Sequence, residues 1–109
     1  MAKTSWQEKY YYSKGMIYML TSKKTDKVYI GSSIYSLDKL FGELQGRYRR
    51  WSQGAPSSGY CSAYEILKYD DCRIELVESY QSENRKQLHS REGEVMRIMK
   101  SKLVNIQIP

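Results

Sequence analysis

Hydrophobic and polar positions change period along the chain, and the changes divide it into elements. Two short apolar runs, Met16-Ile17-Tyr18-Met19-Leu20 and Val28-Tyr29-Ile30, flank the polar segment Thr21-Ser22-Lys23-Lys24-Thr25-Asp26-Lys27. That pattern predicts a β-hairpin with strands over about 15–21 and 27–32. Helical spacing follows from about 36 to 51, with Ser36 placed to cap the helix before Leu37. Gly42 and Gly46 weaken this helix by about 1 kcal/mol each relative to alanine, or permit close approach of a sheet or ligand. Residues 52–59, small and polar, read as a loop. A short helix from Ser62 to Tyr69 and a turn at Asp70-Asp71 come next. Arg73-Ile74-Glu75-Leu76-Val77-Glu78 alternates in character and predicts a third strand. Leu88, Val95 and Met99 recur near helical spacing and mark the core face of a last helix over about 83–100. Residues 103–108 form an extended tail that packs back. Residues 1–13 read as an N-terminal arm or short helix, with Tyr10-Tyr11-Tyr12 packing on the domain or stacking on bases. The element order is β-β-α-α-β-α, an α+β class, with one domain over 14–109.

Tyr18 and Tyr29 stand eleven positions apart on the two hairpin strands. The turn resets register, so antiparallel pairing can bring both phenols to one face of the sheet. Two phenols beside the backbone amides of Gly31-Ser32-Ser33 can orient water and phosphate oxygens together.

These residues resemble the hairpin of the GIY-YIG nuclease superfamily, whose two tripeptides stand here as Met16-Ile17-Tyr18 and Tyr29-Ile30-Gly31. Further segments are similar to small stand-alone members from large DNA viruses and phages. Tyr64 to Tyr69 followed by Ile74 to Glu78 resembles their middle helix and third strand. Leu88-His89-Ser90-Arg91-Glu92-Gly93-Glu94 resembles the helix with the metal-binding glutamate, and Val104-Asn105 the terminal asparagine segment. The resemblance implies a central three-stranded antiparallel sheet flanked by helices. It implies endonucleolytic hydrolysis of DNA phosphodiesters with one divalent cation, Mg²⁺ or Mn²⁺. Tyr18 would contact or help deprotonate the attacking water, and Tyr29 would bond water or phosphate. Glu92 would hold the metal, and Asn105 would support the site. Glu94 is the rival metal ligand; its other reading is a solvated carboxylate paired near Lys100.

The chain departs from the family pattern in the first long helix. Leu37 fits the usual Leu-x-x-Arg-x-x-x-His, but Leu40 stands at the arginine and Leu44 at the histidine. Positions 40 and 44 share one helix face. The missing arginine would pair with the scissile phosphate through parallel charge-assisted bonds. Losing one such preorganised donor costs about 10²–10³ in rate. Lys39 could swing in; Arg47 could serve from the same stripe as Leu40 and Leu44; or the chain cuts weakly and keeps the fold as a DNA-binding or nuclease-partner module.

The 109 residues carry a formal net charge of +6, which suits a polyanionic partner without locating a site. Arg47, Arg49 and Arg50 with Tyr48 and Trp51 form the densest basic-aromatic cluster. It reads as a phosphate-contacting face alongside Ser32 and Ser33, or as a solvated face with Trp51 in the core. Cys61 and Cys72, with the single His89, do not make a disulfide framework or an ordinary structural zinc site. No signal peptide or membrane span is visible, which predicts an intracellular protein, in cytoplasm or on nucleoid or viral DNA. A homodimer or a protein partner would supply any sequence specificity.

Overall fold

The computed structural model describes residues 5–56 and 59–105. Helix α1 (Ser5–Tyr12) precedes strands β1 (Met16–Ser22) and β2 (Thr25–Ser33). Helices α2 (Leu37–Ser52) and α3 (Tyr64–Leu67) lead to strand β3 (Arg73–Ser79) and helix α4 (Arg85–Ile98), followed by a 3₁₀ turn at Lys100–Lys102. The sheet is antiparallel throughout, in the order β2-β1-β3. The fold is therefore α+β, a three-stranded antiparallel sheet flanked by helices. Residues 1–4 of the expected N-terminal arm, 57–58 of the expected loop and 106–108 of the expected tail lie outside the described residues.

The register of β1 against β2 sorts side chains onto two faces. Ile17 stands opposite Ser32 and Met19 opposite Ile30, whereas Tyr18 stands opposite Gly31 and Leu20 opposite Tyr29. One face packs Tyr18, Leu20 and Tyr29 with Leu44 of α2 and Tyr64, Ile66 and Leu67 of α3. The other packs Ile17, Val28 and Ile30 with Leu88, Val95 and Met96 of α4. Burying apolar area on both faces stabilises the sheet as a central layer.

Three boundaries differ from the sequence pattern for identifiable reasons. The polar segment read as a loop is mostly strand, with Ser22 paired to Thr25 and only Lys23 and Lys24 between the strands. Asp71 holds this turn, accepting from the Ser22 hydroxyl and from the Lys23 N–H at 2.9 Å, while Asp70 pairs with Lys24 Nζ at 2.5 Å. The last helix begins at Arg85 because Asn84 caps it, its Oδ1 accepting from Gln87 N at 3.0 Å. The middle helix is a single turn between other turns. In α2, Ser36 caps as the pattern requires. Gly42 faces open space, so it permits no close approach. Of the three consecutive tyrosines in α1, Tyr12 packs against the α4 side of the sheet, and Tyr10 and Tyr11 are exposed.

Candidate active site at the end of strand β2

Tyr18 and Tyr29 lie diagonally across β1 and β2 on one face, their ring centroids 6.3 Å apart and tilted by 41°. Gly31 makes this possible, because the Tyr18 ring occupies the space where a Gly31 side chain would stand. Each phenol influences the other's titration, and the Cys61 thiol influences that of Tyr29, beside which it packs against the same apolar cluster. Burial pushes the Tyr29 phenol up to about 12, with the Cys61 and Glu92 charges adding to the effect. Tyr18 is raised further, first by burial, then by Tyr29 and Glu92. Both phenols therefore hold their protons at neutral pH and act as hydrogen-bond donors.

Glu92 comes from the opposite face of the sheet. It sits on the buried side of α4, where Leu88 and Val95 also turn inward. Burial raises its carboxyl above the usual range, opposed by the nearby Ser32 hydroxyl. Ser32 follows Gly31, where the sheet lacks a side chain. The Glu92 charge reaches both phenols around that end of β2. Among the described residues no cation forms an ion pair with Glu92. Glu94 is committed elsewhere: Arg91 Nη1 bonds it at 2.7 Å, and Arg91 Nε bonds Glu78 at 2.6 Å. Its partner is thus Arg91 within the helix, not a residue near Lys100.

Two cavities flank this centre. One, of about 380 Å³, is lined by Ser32, Ser33, Leu40, Arg47, Arg85 and His89, among others. The other, of about 410 Å³, is lined by Leu44, Arg47, Arg50, Tyr60, Cys61 and Tyr64, with Gly59 at its edge. Arg47 reaches both, from the stripe of α2 that also carries Leu40 and Leu44. Neither Arg47 nor Arg50 forms an ion pair among the described residues. Arg49 is exposed and lines neither cavity. Burial, then the Arg85 charge, lowers His89 below its usual range, so it is neutral at pH 7.

The remaining candidates are positioned differently. Lys39 is exposed on α2, with Nζ 5.3 Å from the centroid of Tyr35, at the rim of the first cavity. The Ser33 hydroxyl is used in the turn after β2, accepting from Tyr35 N at 2.9 Å and donating to Tyr35 O at 3.1 Å. Asn105 accepts from Ile30 N at 3.0 Å and donates to Ile30 O at 2.8 Å. It acts as a one-residue extension of the sheet along β2, next to the Val104 N–H that bonds Val28 O at 2.9 Å. Asn105 thus braces the strand that carries Tyr29 and Gly31.

Cys61, Arg85, His89 and Tyr60 were not singled out as site residues by the sequence pattern. Arg85 and His89 are four apart on α4, a spacing that puts them on one face, but only the sheet's position shows that the face looks onto Ser32. Trp51 is not in the core: it stays 38% exposed and joins Tyr48, Tyr60 and Tyr64 in an aromatic cluster.

Among the described residues no three His, Cys, Asp or Glu side chains gather as a metal site. The oxygens present are the Glu92 carboxylate and the Ser32 hydroxyl. That set suits Mg²⁺ or Mn²⁺, hard cations commonly held by one or two carboxylates, with water and substrate phosphate completing the shell. Among the described residues no helix is long and apolar enough to cross a membrane. Comparisons with protein-family profiles, curated proteins and solved structures find no match.

Proposed function

We propose that this chain is a metal-dependent DNA endonuclease of the GIY-YIG type. One observation carries the reading: a buried glutamate with no ion-pair partner among the described residues, in electrostatic reach of two protonated phenols. Burying such a carboxylate costs stability unless a cation compensates it. Glu92, with Ser32, would hold one Mg²⁺ or Mn²⁺, which when bound neutralises charge on the phosphate and the leaving 3′ oxygen. Tyr18 and Tyr29 donate hydrogen bonds and orient the attacking water against phosphorus. The water oxygen bonds phosphorus, the P–O3′ bond breaks, one water proton passes to solvent, and the departing 3′ oxygen takes a proton from solvent to become a hydroxyl. Arg47 takes the phosphate-pairing role that Leu40 leaves open, with Arg85 facing it across the cavity. Arg49, Arg50 and Lys39 contribute positive charge toward the flanking backbone. A second copy or a protein partner supplies sequence preference.

A plasmid-nicking assay with Mg²⁺ and with Mn²⁺ tests this. Cleavage by the parent that is abolished in Glu92→Ala and Arg47→Ala is the expected result. Cleavage that survives Glu92→Ala overturns it.

A second reading is supported by Leu40 and Leu44, which pack against the apolar cluster beside Tyr18 instead of presenting polar groups. On that reading the fold binds DNA or a nuclease partner and cuts weakly or not at all. A silent parent that still binds DNA, and that gains nicking on Leu40→Arg, selects it.

A further inference from the structure

The cavity between α2 and the segment entering α3 joins two chemistries that one nucleotide would use. On one side stand Arg47 and Arg50, guanidinium groups with no ion pair among the described residues. On the other stand the rings of Tyr60 and Tyr64. Tyr60 is 48% exposed, so ring surface remains open. Its hydroxyl donates to Glu65 at 2.5 Å, which fixes the ring's direction. Trp51 packs beside both tyrosines, with centroids 5.6 Å from Tyr60 and 5.2 Å from Tyr64. Leu44 also lines the cavity. The leucine that departs from the nuclease pattern therefore gives this cavity an apolar wall. Cys61, a further lining residue, packs with Tyr29 against the same apolar cluster, so the cavity adjoins the phenol pair through one side chain. Its volume of about 410 Å³ lies within the range of small-ligand sites, about 300–1,000 Å³.

We propose that this cavity is a subsite for one unpaired nucleotide of a DNA strand, its base on Tyr60 and its phosphates on Arg47 and Arg50. A base inside a duplex is covered on both faces by its neighbours and has no face to offer a ring in a concave wall. An unpaired base has one. Arginine holds the flanking phosphates while aromatic contact tolerates any base, the combination used for strands bound without sequence preference. The substrate class is accordingly DNA with a splayed, branched or single-stranded segment next to the scissile phosphate. This subsite rests on the phosphodiesterase reading for its ligand, but its binding test does not need cleavage.

The test uses the full chain carrying Trp6→Phe, which leaves Trp51 as the sole indole, and Glu92→Gln, which prevents turnover. A short oligothymidylate and a blunt duplex of equal length are titrated while Trp51 emission is followed. The single strand is expected to quench Trp51 and bind at least ten-fold tighter than the duplex. Tyr60→Ala should weaken that binding by about 5- to 150-fold, the range for loss of one base–aromatic stack. Tyr60→Phe should stay within about two-fold, and Arg50→Ala should flatten the salt dependence by about 0.7 in log–log slope. Equal affinity for duplex and single strand overturns the proposal, as does full affinity in folded Tyr60→Ala. If Tyr60→Ala does not fold, the strand-to-duplex ratio and the Arg50→Ala slope decide alone. Tighter binding of an oligouridylate overturns the DNA assignment. Strand binding by a parent that never nicks DNA removes the nuclease reading and leaves the subsite standing.

Discussion

The ring of Tyr18 lies where a side chain on Gly31 would have to stand. The glycine is therefore part of how the phenol is aimed. Its neighbours cannot yield cheaply, because Tyr18 is packed among Leu20, Leu44 and Tyr64. Gly31→Ala is expected to cost about 1–3 kcal/mol of stability through overpacking and to displace the Tyr18 ring. Urea unfolding measures the first effect, and the near-ultraviolet circular dichroism of the tyrosines reports the second. An unchanged spectrum with full stability would contradict the placement of Tyr18 over Gly31.

Glu92 gives a prediction whose sign follows from burial. Its carboxyl is raised in the folded chain, so the folded state binds that proton more tightly than the unfolded one. Stability then falls as pH rises from the ordinary glutamate value, about 4.3, through the folded value, and stays lowered at neutral pH. Glu92→Gln should be more stable than the parent at pH 7, within the about 0.5–2 kcal/mol that single stabilising substitutions commonly give. The difference should vanish below about pH 4, where the parent carboxyl is protonated. Millimolar Mn²⁺ should raise the parent's melting temperature and leave that of Glu92→Gln unmoved. Glu94→Gln should keep the Mn²⁺ response, since its carboxylate answers Arg91. Loss of the Mn²⁺ response in Glu94→Gln instead would move the metal to the wrong carboxylate for this site.

The parts of this arrangement that sequence made visible are local ones. The two apolar runs define the hairpin, Ser36 marks the start of α2, and alternation marks β3. Each depends on contacts within a few residues. The inward position of Glu92 also follows from Leu88 one turn before it. What sequence left hidden depends on distant partners. The hairpin turn is tight because Asp70 and Asp71, more than forty positions away, satisfy its polar groups. Cys61 meets Tyr29 only because the segment before α3 folds onto the α2 face. Asn105 looks like a turn residue until the tail is seen lying along β2. Arg85 and His89 line the cavity beside Ser32 only because α4 is docked there.

The phenols titrate late because of burial and mutual proximity. Of the eleven tyrosines, those at 18 and 29 should remain protonated at pH 11, with Tyr60 also held up, near 12, by its bond to Glu65. The unfolded chain releases these protons near pH 10, so stability is lost as pH rises through 10 toward 12 and beyond. A spectrophotometric titration should therefore show a late class of tyrosine, appearing together with alkaline unfolding. Tyr18→Phe and Tyr29→Phe should each shrink the late class by one phenol and shift alkaline unfolding upward. A single class centred on pH 10 in the folded protein would remove the buried phenol pair.

Asn105 separates bracing from direct action at phosphate. Both ends of its carboxamide are spent on the backbone of Ile30. Asn105→Ala leaves that N–H and carbonyl without partners on the outer edge of β2, at a cost of about 1–3 kcal/mol. Asn105→Asp retains the acceptor for Ile30 N–H but sets an oxygen against the Ile30 carbonyl, so it should be no better than alanine. Amide exchange of Ile30 should accelerate in both variants, while amides of β1, paired on both sides, stay protected. If cleavage is measurable, its loss should scale with the loosening of β2, because Tyr29 and Gly31 ride on that strand. A large fall in kcat with Ile30 exchange unchanged would mean that the carboxamide touches the substrate, and the bracing role would be withdrawn.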